Sequence, residues 1–397
     1  MTEAPIMSRP IRAHINPKLL VWARECCRMD TTYAASKLGM DTEKLEQWES
    51  GELSPTIRQL RNLANAYRVN FGALFLPEPP ATFKPPVKDY RLHHGAVAGE
   101  IDPEIAIDLR LHLNAREIAL ELESDLGLEQ APFELSCSMD DSPAEVAEQI
   151  RTALGISFQV QKRFRESRVA FNAWRDAIAN AGVLVIQSSK VALSDMRGYS
   201  VFFDELPLLV VNRKDAYSAR TFTLIHELAH LLLRSSGLCD LSSEPGRPPH
   251  EQKLEVFCNA VASQTLVPDS ILLSYPDIRG VAQESWTDEI LAPIARDFGV
   301  SREVVLRKLF DHGLTTRAFY LDNRERYTQE AIEYKQRQKG GFVPPAVDVV
   351  STKGRRYVSL VFEALNSSVI TAGDAADFLG VKAKHFNNIE TNLRRAV

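Results

Sequence analysis

A proline-dense segment divides this chain and limits what it can fold into. The ten residues from Pro77 to Pro86 read PEPPATFKPP and include five prolines. Proline lacks a backbone N–H and fixes φ, so this segment cannot continue a helix or lie in the interior of a sheet. We therefore predict a stiff linker over residues 77–102, with a separate folding unit on its N-terminal side.

The composition is typical of a globular protein with several domains. A length of 397 residues exceeds one ordinary core, and two or three domains are expected. No apolar run is long enough to cross a bilayer, and the N-terminus has no secretory pattern. The net charge of −5 argues against nucleic-acid binding by the whole molecule and leaves binding by a local patch open. The five cysteines form no CxxC pair, so neither a disulfide framework nor a cysteine zinc site is indicated. We expect a cytoplasmic protein that is not bound to a membrane.

Hydrophobic periodicity predicts an α+β fold for the middle of the chain. A long amphipathic helix is expected from Pro103 to Leu126. A buried strand is expected at Val183–Ile186, and the stretch GYSVFFDELPLLVVN reads as two short strands joined at Asp204–Pro207. Two further helices follow, and Pro268 ends the second. We predict a small sheet beside many helices, and no internal repeat is evident.

The first of these two helices carries the sequence HELAH, which is an HExxH motif. His226 and His230 are four residues apart, so a helix places both imidazoles on one face, where they can bind one zinc ion. Glu227 can reach a water molecule at the metal without being a ligand, which predicts a general base. The surrounding residues are apolar, and burying three ionisable groups among them requires compensation such as a metal.

A catalytic zinc site needs a third protein ligand, and Glu255 is the preferred candidate. It lies 25 residues after His230, which leaves room for a loop and a returning helix. Asn259, four residues further on, is placed to hydrogen-bond the ligands. Glu251 is the rival, and Glu244 and Asp240 are weaker because they lie among serines and prolines. Tyr199, Tyr217 and His250 are the donors available to stabilise an oxyanion, and the sequence does not choose among them.

These residues resemble the ImmA/IrrE family of metallopeptidases. The resemblance covers Gly198 to Pro268 and is carried by GYSVFFDELPLLVVN, RTFTLIHELAHLLL and LEVFCNAVASQTLVP. It implies a gluzincin-like zinc site with Glu255 as third ligand, and regulatory proteolysis of a repressor. The sequence departs from the family at Phe257–Cys258, where Glu-Ala is frequent.

Residues 1–76 predict a different kind of unit. They read as a helix, a turn at Gly39, a second helix over Thr42–Glu49 and a further helix after Pro55, which is the pattern of a helix-turn-helix bundle. The spacing of these elements resembles the XRE (Cro/C1-type) fold. Lys44 and Gln47 are the candidate base contacts, and Arg58 and Arg61 the candidate phosphate contacts. Because the second helix also carries three carboxylates, DNA binding and protein docking both remain open.

Residues 341–397 form the last predicted region, after a peptidase domain over 103–340. The stretch SVITAGDAADFLGVKAKHFNNIE predicts two short helices around Gly380. It is compatible with a second helix-turn-helix, although a helical cap or an oligomer contact is favoured. Its lysines and arginines, Lys382, Lys384, Arg394 and Arg395, are interpreted as a solvated face.

The leading hypothesis is a zinc endopeptidase that cleaves a repressor-like or operon-partner protein and uses Glu227 as base. Its N-terminal unit would recruit that protein or DNA, and a homo-oligomer is compatible with the sequence. The alternative is a non-catalytic, antitoxin-like regulator that uses the peptidase fold as a scaffold. A plain transcription factor is the third interpretation.

Overall fold

The computed structural model describes residues 11–80, 102–235, 237–239, 249–337 and 342–394. The chain separates into two compact units, Met1–Asn114 and Ala115–Val397. Residues 81–101, which include most of the predicted linker, lie outside the described residues, and so do Asp240, Glu244 and Arg395. No helix in the described ranges is long and apolar enough to cross a membrane.

The first unit is helical. Its helices are α1 (Lys18–Glu25), α2 (Thr31–Leu38), α3 (Thr42–Ser50), α4 (Ile57–Ala66), a 3-10 helix (Phe71–Phe75) and the first half of α5 (Pro103–Asp125). The side chain of Asp30 accepts a hydrogen bond from the backbone N–H of Tyr33 and so caps α2. Gly39 ends α2 with a left-handed backbone conformation, which glycine adopts without steric cost.

Three helices of this unit contribute to its core. Ala34 and Ala35 of α2, Leu45 and Trp48 of α3, and Leu60 of α4 are all buried in one cluster. Because α2, α3 and α4 each have one apolar face, burial of these faces against each other is what fixes the bundle.

The second unit combines helices with a small sheet, as the α+β prediction requires. Its helices are α6 (Pro143–Ala153), α7 (Phe158–Gln161), α8 (Ser167–Asn180), α9 (Tyr217–Leu232), α10 (Pro249–Leu266), α11 (Asp269–Leu272), α12 (Asp288–Phe298), α13 (Arg302–Asp311), α14 (Arg317–Arg337), α15 (Pro345–Lys353), α16 (Arg355–Asn366), α17 (Ala372–Leu379) and α18 (Phe386–Arg394). Its strands are β1 (Leu184–Ser188), β2 (Gly198–Val201), β3 (Leu208–Asn212) and β4 (Gly237–Cys239).

The four strands form one sheet in the order β1-β3-β2-β4. β1 runs parallel to β3, with Leu184 opposite Leu208, whereas β2 is antiparallel to both β3 and β4. Every residue of β1, β2 and β3 is buried, which explains why β1 and β3 begin with runs of apolar residues instead of alternating patterns. Helix α9 packs on β2 and β3, and α10 packs on α9.

The C-terminal helices belong to this second unit. Arg175 of α8 and Gln187 of β1 both donate hydrogen bonds to the backbone carbonyl of Ser351 in α15, at 3.0 and 2.5 Å. Arg213 and Asp348 form an ion pair at 2.6 Å. The region contains four helices, α15 to α18, instead of only the two predicted around Gly380. Of the two additional helices, α15 packs on β1 and α16 packs on α8.

Candidate metal centre

Helix α9 brings the two histidines together in the core. His226 and Glu227 are fully buried, and His230 is 2% exposed. The apolar residues around them, Leu224, Ile225, Leu228, Leu231 and Leu232, are also fully buried. The Nε2 atoms of His226 and His230 lie 3.1 Å apart, as expected for side chains one helical turn apart on one face.

Helix α10 adds the carboxylate of Glu255 to this pair. Oε2 of Glu255 is 3.4 Å from Nε2 of His226, and Oε1 is 3.6 Å from Nε2 of His230. The three residues form the one group of potential metal ligands found among the described part of the chain. Glu255 is partly exposed, so the site is accessible from one side.

The spacing of these atoms fits a tetrahedral metal ion. Two ligand atoms about 2.0–2.1 Å from a zinc ion and at the tetrahedral angle are about 3.3 Å apart. The two Nε2 atoms are 3.1 Å apart, close to that value, and each histidine has a different oxygen of Glu255 nearby, at 3.4 Å for His226 and 3.6 Å for His230. Two imidazole nitrogens and a carboxylate oxygen are also a donor set that zinc prefers. The residues present therefore fit the ion.

Glu227 is held by the neighbouring strand. The hydroxyl group of Ser200 in β2 donates a hydrogen bond to Oε2 of Glu227 at 2.8 Å, and Ser200 is fully buried. This bond restricts the rotation of the Glu227 carboxylate beside the histidines. No motif or periodicity singled out Ser200, because the contact joins residues 27 positions apart.

The close approach of β2 to α9 depends on Gly198. A Cβ atom at this position would lie 2.5 Å from Cγ2 of Thr223 and 2.9 Å from the carbonyl oxygen of Val210. It would also be 3.5 Å from Cγ of Glu227. A glycine at the start of β2 thus lets the strand contact the helix next to the predicted general base.

The other predicted residues around the site have varied positions. Asn259 is half-buried on α10, one turn after Glu255, and its proposed role stays a prediction. Glu251 and His250 lie in α10, but their side chains are outside the described part of the structure. Cys258 is buried in the core, and burial raises the pKa of its thiol above the ordinary value.

Two of the candidates for oxyanion stabilisation, Tyr199 and Tyr217, have side chains that the structure describes, and neither is directed at the histidines. Tyr199 precedes Ser200 on β2, and successive side chains of a strand point to opposite faces, so Tyr199 points away from Glu227. Tyr217 begins α9, nine residues before His226, which is a distance of about 13 Å along a helix. The ring of Tyr217 is covered instead by the guanidinium of Arg220 at 3.8 Å.

The residues proposed for DNA contact in the first unit lie on α3 and α4. Lys44 is exposed on α3, with its amine 5.9 Å from the ring of Trp48, and Gln47 is half-buried. Arg58 is exposed on α4, and Arg61 of the same helix lies over the ring of Phe71. Their role in DNA binding stays a prediction.

A buried helix with two histidines one turn apart, joined by a glutamate from the next helix, is an arrangement typical of metallopeptidases. Residues 179–310 match the peptidase M78 family model, described as the IrrE N-terminal-like domain. The matched segment contains the sheet, α9 and α10, and it supports a metallopeptidase-type fold related to the ImmA/IrrE family. The search of curated proteins found no match.

Proposed function

We propose that the second unit is a zinc-dependent endopeptidase that cleaves a regulatory protein. The observation that carries this proposal is the grouping of His226, His230 and Glu255, whose ligand atoms all lie within 4.8 Å of one another. Two neutral imidazoles and one carboxylate leave a fourth position for water or substrate, as in catalytic zinc sites. The match to a peptidase family over the same residues supports this assignment.

Each residue has a defined task in this proposal. His226, His230 and Glu255 hold the ion, which when bound polarises a peptide carbonyl and promotes ionisation of water. Glu227 accepts the proton of the attacking water and delivers it to the leaving amine. Since Oε2 accepts the hydrogen bond of Ser200, we assign the proton to Oε1. Ser200 orients the base, and Asn259 supports the ligands of the metal.

The first unit fits an XRE-type helix-turn-helix that recruits the substrate protein. The pair α2–α3 has the expected lengths and is joined through a left-handed glycine. However, three carboxylates are exposed along α3 and its N-cap residue, those of Asp41, Glu43 and Glu46, against one lysine, Lys44. These carboxylates would repel phosphates, which favours a protein partner, and a repressor-like substrate agrees with the resemblance.

The test compares Glu227→Gln with a matched control, Glu325→Gln, which changes an exposed glutamate of α14. Each protein is expressed in the native host, and new protein N-termini are identified by mass spectrometry. We expect termini that appear with the wild type and with Glu325→Gln but are reduced by about a hundredfold or more with Glu227→Gln. Zinc content should be equal in all three proteins, because Glu227 is not a ligand.

Two results would contradict the proposal. Equal cleavage by wild type and Glu227→Gln would exclude Glu227 as the base. A zinc-loaded wild type that binds a partner stoichiometrically without cutting it would instead establish the scaffold function of an antitoxin-like regulator.

A further inference from the structure

The C-terminal helix pair, α17–α18, repeats the backbone of the N-terminal helix pair, α2–α3. Adding 341 to a residue number of the first pair gives its counterpart in the second. Asp30 and Thr371 each cap the first helix by accepting a bond from the backbone N–H three residues on. Gly39 and Gly380 end it with φ of 64° and 68°.

The match continues through the turn and into the second helix. The backbone N–H of Met40 bonds to the carbonyl of Ala35, and that of Val381 bonds to the carbonyl of Ala376, both at 3.0 Å. The next residues have nearly the same conformation: φ −70° and ψ 141° at position 41, and φ −72° and ψ 141° at position 382. This internal repeat was not evident from the sequence, because few side chains are identical.

The residues that pack the two pairs also correspond. The buried positions Ala34, Leu45 and Trp48 of the N-terminal pair have buried counterparts in the C-terminal pair, Ala375, Phe386 and Ile389. In both pairs the inward face is therefore apolar at the same positions, so that the same outward face remains exposed.

The exposed faces differ in charge. Asp41, Glu43 and Glu46 of the N-terminal pair are replaced by Lys382, Lys384 and Asn387 in the C-terminal pair. The exposed face of the second helix continues with Asn388, Thr391 and Arg394.

The acidic residues of the C-terminal pair lie elsewhere. Glu390 is half-buried and lies 3.5 Å from the amide of Asn366 in α16. Asp374 and Asp377 are exposed, but both lie on α17, the first helix of the pair, where Asp374 is also engaged in the helix cap. No exposed carboxylate therefore lies between Lys382 and Arg394 on this surface.

A third helix–glycine–helix in the chain shows that the turn alone does not make a binding surface. Helices α12 and α13 are joined at Gly299, which has a φ of 67°. Arg302 of α13 forms ion pairs with Asp288 and with Glu330 of α14, and Lys308 is buried against Asp269. Helix α13 is therefore covered by other residues of its own unit, whereas the outward face of α18 is exposed.

We propose that the C-terminal helix pair is a nucleic-acid-binding site that places α18 in the major groove of duplex DNA. Lys382, Lys384 and Arg394 would contact phosphates, and the amides of Asn387 and Asn388 would contact base edges, where asparagine pairs well with adenine. The occupant is inferred from the charge of the exposed face, which complements a polyanion. The N-terminal helix pair has the opposite charge and does not take this role.

The test measures binding of the full-length protein to a fluorescein-labelled 30-bp duplex of random sequence, by fluorescence anisotropy at 50 to 200 mM salt. The double variant Lys382→Glu/Lys384→Glu should bind about tenfold more weakly or worse at 50 mM salt. The slope of log affinity against log salt concentration should become shallower by about 2, since each lost phosphate contact removes about 0.9. The neutral variant Lys382→Gln/Lys384→Gln should show the same change in slope with a smaller loss of affinity.

The matched control is Arg163→Glu/Arg168→Glu, which makes the same change of charge at two exposed positions outside the C-terminal helix pair and is expected to alter affinity less than about twofold. Circular dichroism and the melting temperature show that each variant is folded. Three results would overturn the proposal: no binding by the wild type at 50 mM salt, unchanged binding by both C-terminal variants, or a loss confined to the control. Selective loss of a protein partner by the C-terminal variants, with DNA binding intact, would assign the surface to protein instead.

Discussion

Replacing Gly198 by alanine tests how β2 positions α9. The new methyl group would lie 2.5 Å from Cγ2 of Thr223 and 2.9 Å from the carbonyl oxygen of Val210, so both neighbours must move. Overpacking a core costs about 1–3 kcal/mol, and the upper end applies because one neighbour is backbone and Thr223 is buried. We expect the free energy of opening the structure at β3 and α9 to fall by about 3 kcal/mol.

Hydrogen exchange of the full-length protein, followed by mass spectrometry, measures this change in peptides from β3 and α9. A loss of about 3 kcal/mol increases exchange of the most protected amides by about a hundredfold. Gly373→Ala is the matched control, because a Cβ there meets only Oγ1 of Thr371 at 3.4 Å. Alanine suits a helix better than glycine, so this variant should be unchanged or more stable by up to about 0.5 kcal/mol.

The double variant Gly198→Ala/Thr223→Ser tests the stated cause. Serine lacks the Cγ2 methyl group, so one of the two close contacts disappears. The free energy of opening of the double variant should therefore be about 1 kcal/mol higher than the sum of the two single substitutions predicts. If the two substitutions are strictly additive, or if Gly198→Ala exchanges like the wild type, the close approach of β2 to α9 is not what constrains this position.

Two further predictions concern single side chains. Ser200→Ala should lower kcat about tenfold while KM and zinc content stay constant, because Ser200 orients Glu227 without contacting the substrate; a changed zinc content would refute this role. Asp269→Asn should lower the unfolding free energy at pH 7 by about 2 kcal/mol, because buried Lys308 loses its partner. Burial raises the pKa of Asp269, but hydrogen bonds from Lys308, His312 and Gln264 outweigh it and lower the pKa below its ordinary value. The carboxylate therefore stabilises the fold above the unfolded-state pKa of about 4, and urea unfolding should show the difference between the proteins vanishing as the pH falls through the lower folded-state value.

Local patterns predicted much of this structure. The helix Pro103–Leu126, the strands around Val185 and Val210 and the helices beside Gly39 all agree with the structure within a few residues. Such elements depend on the spacing of hydrophobic residues and on helix capping. Both are determined by residues that lie close together in the sequence. The pairing of β4 with β2 and the helices α15 and α16 were not predicted, because they depend on contacts between distant segments.

The candidate site divides in the same way. Four-residue spacing on a helix is enough to place His226 beside His230, because helix geometry is local and hardly depends on the rest of the fold. The approach of Glu255, the bond from Ser200 and the repeat of α2–α3 by α17–α18 were decided by tertiary packing. These features join residues far apart in the chain, and only burial of the apolar faces between them selects one arrangement among many.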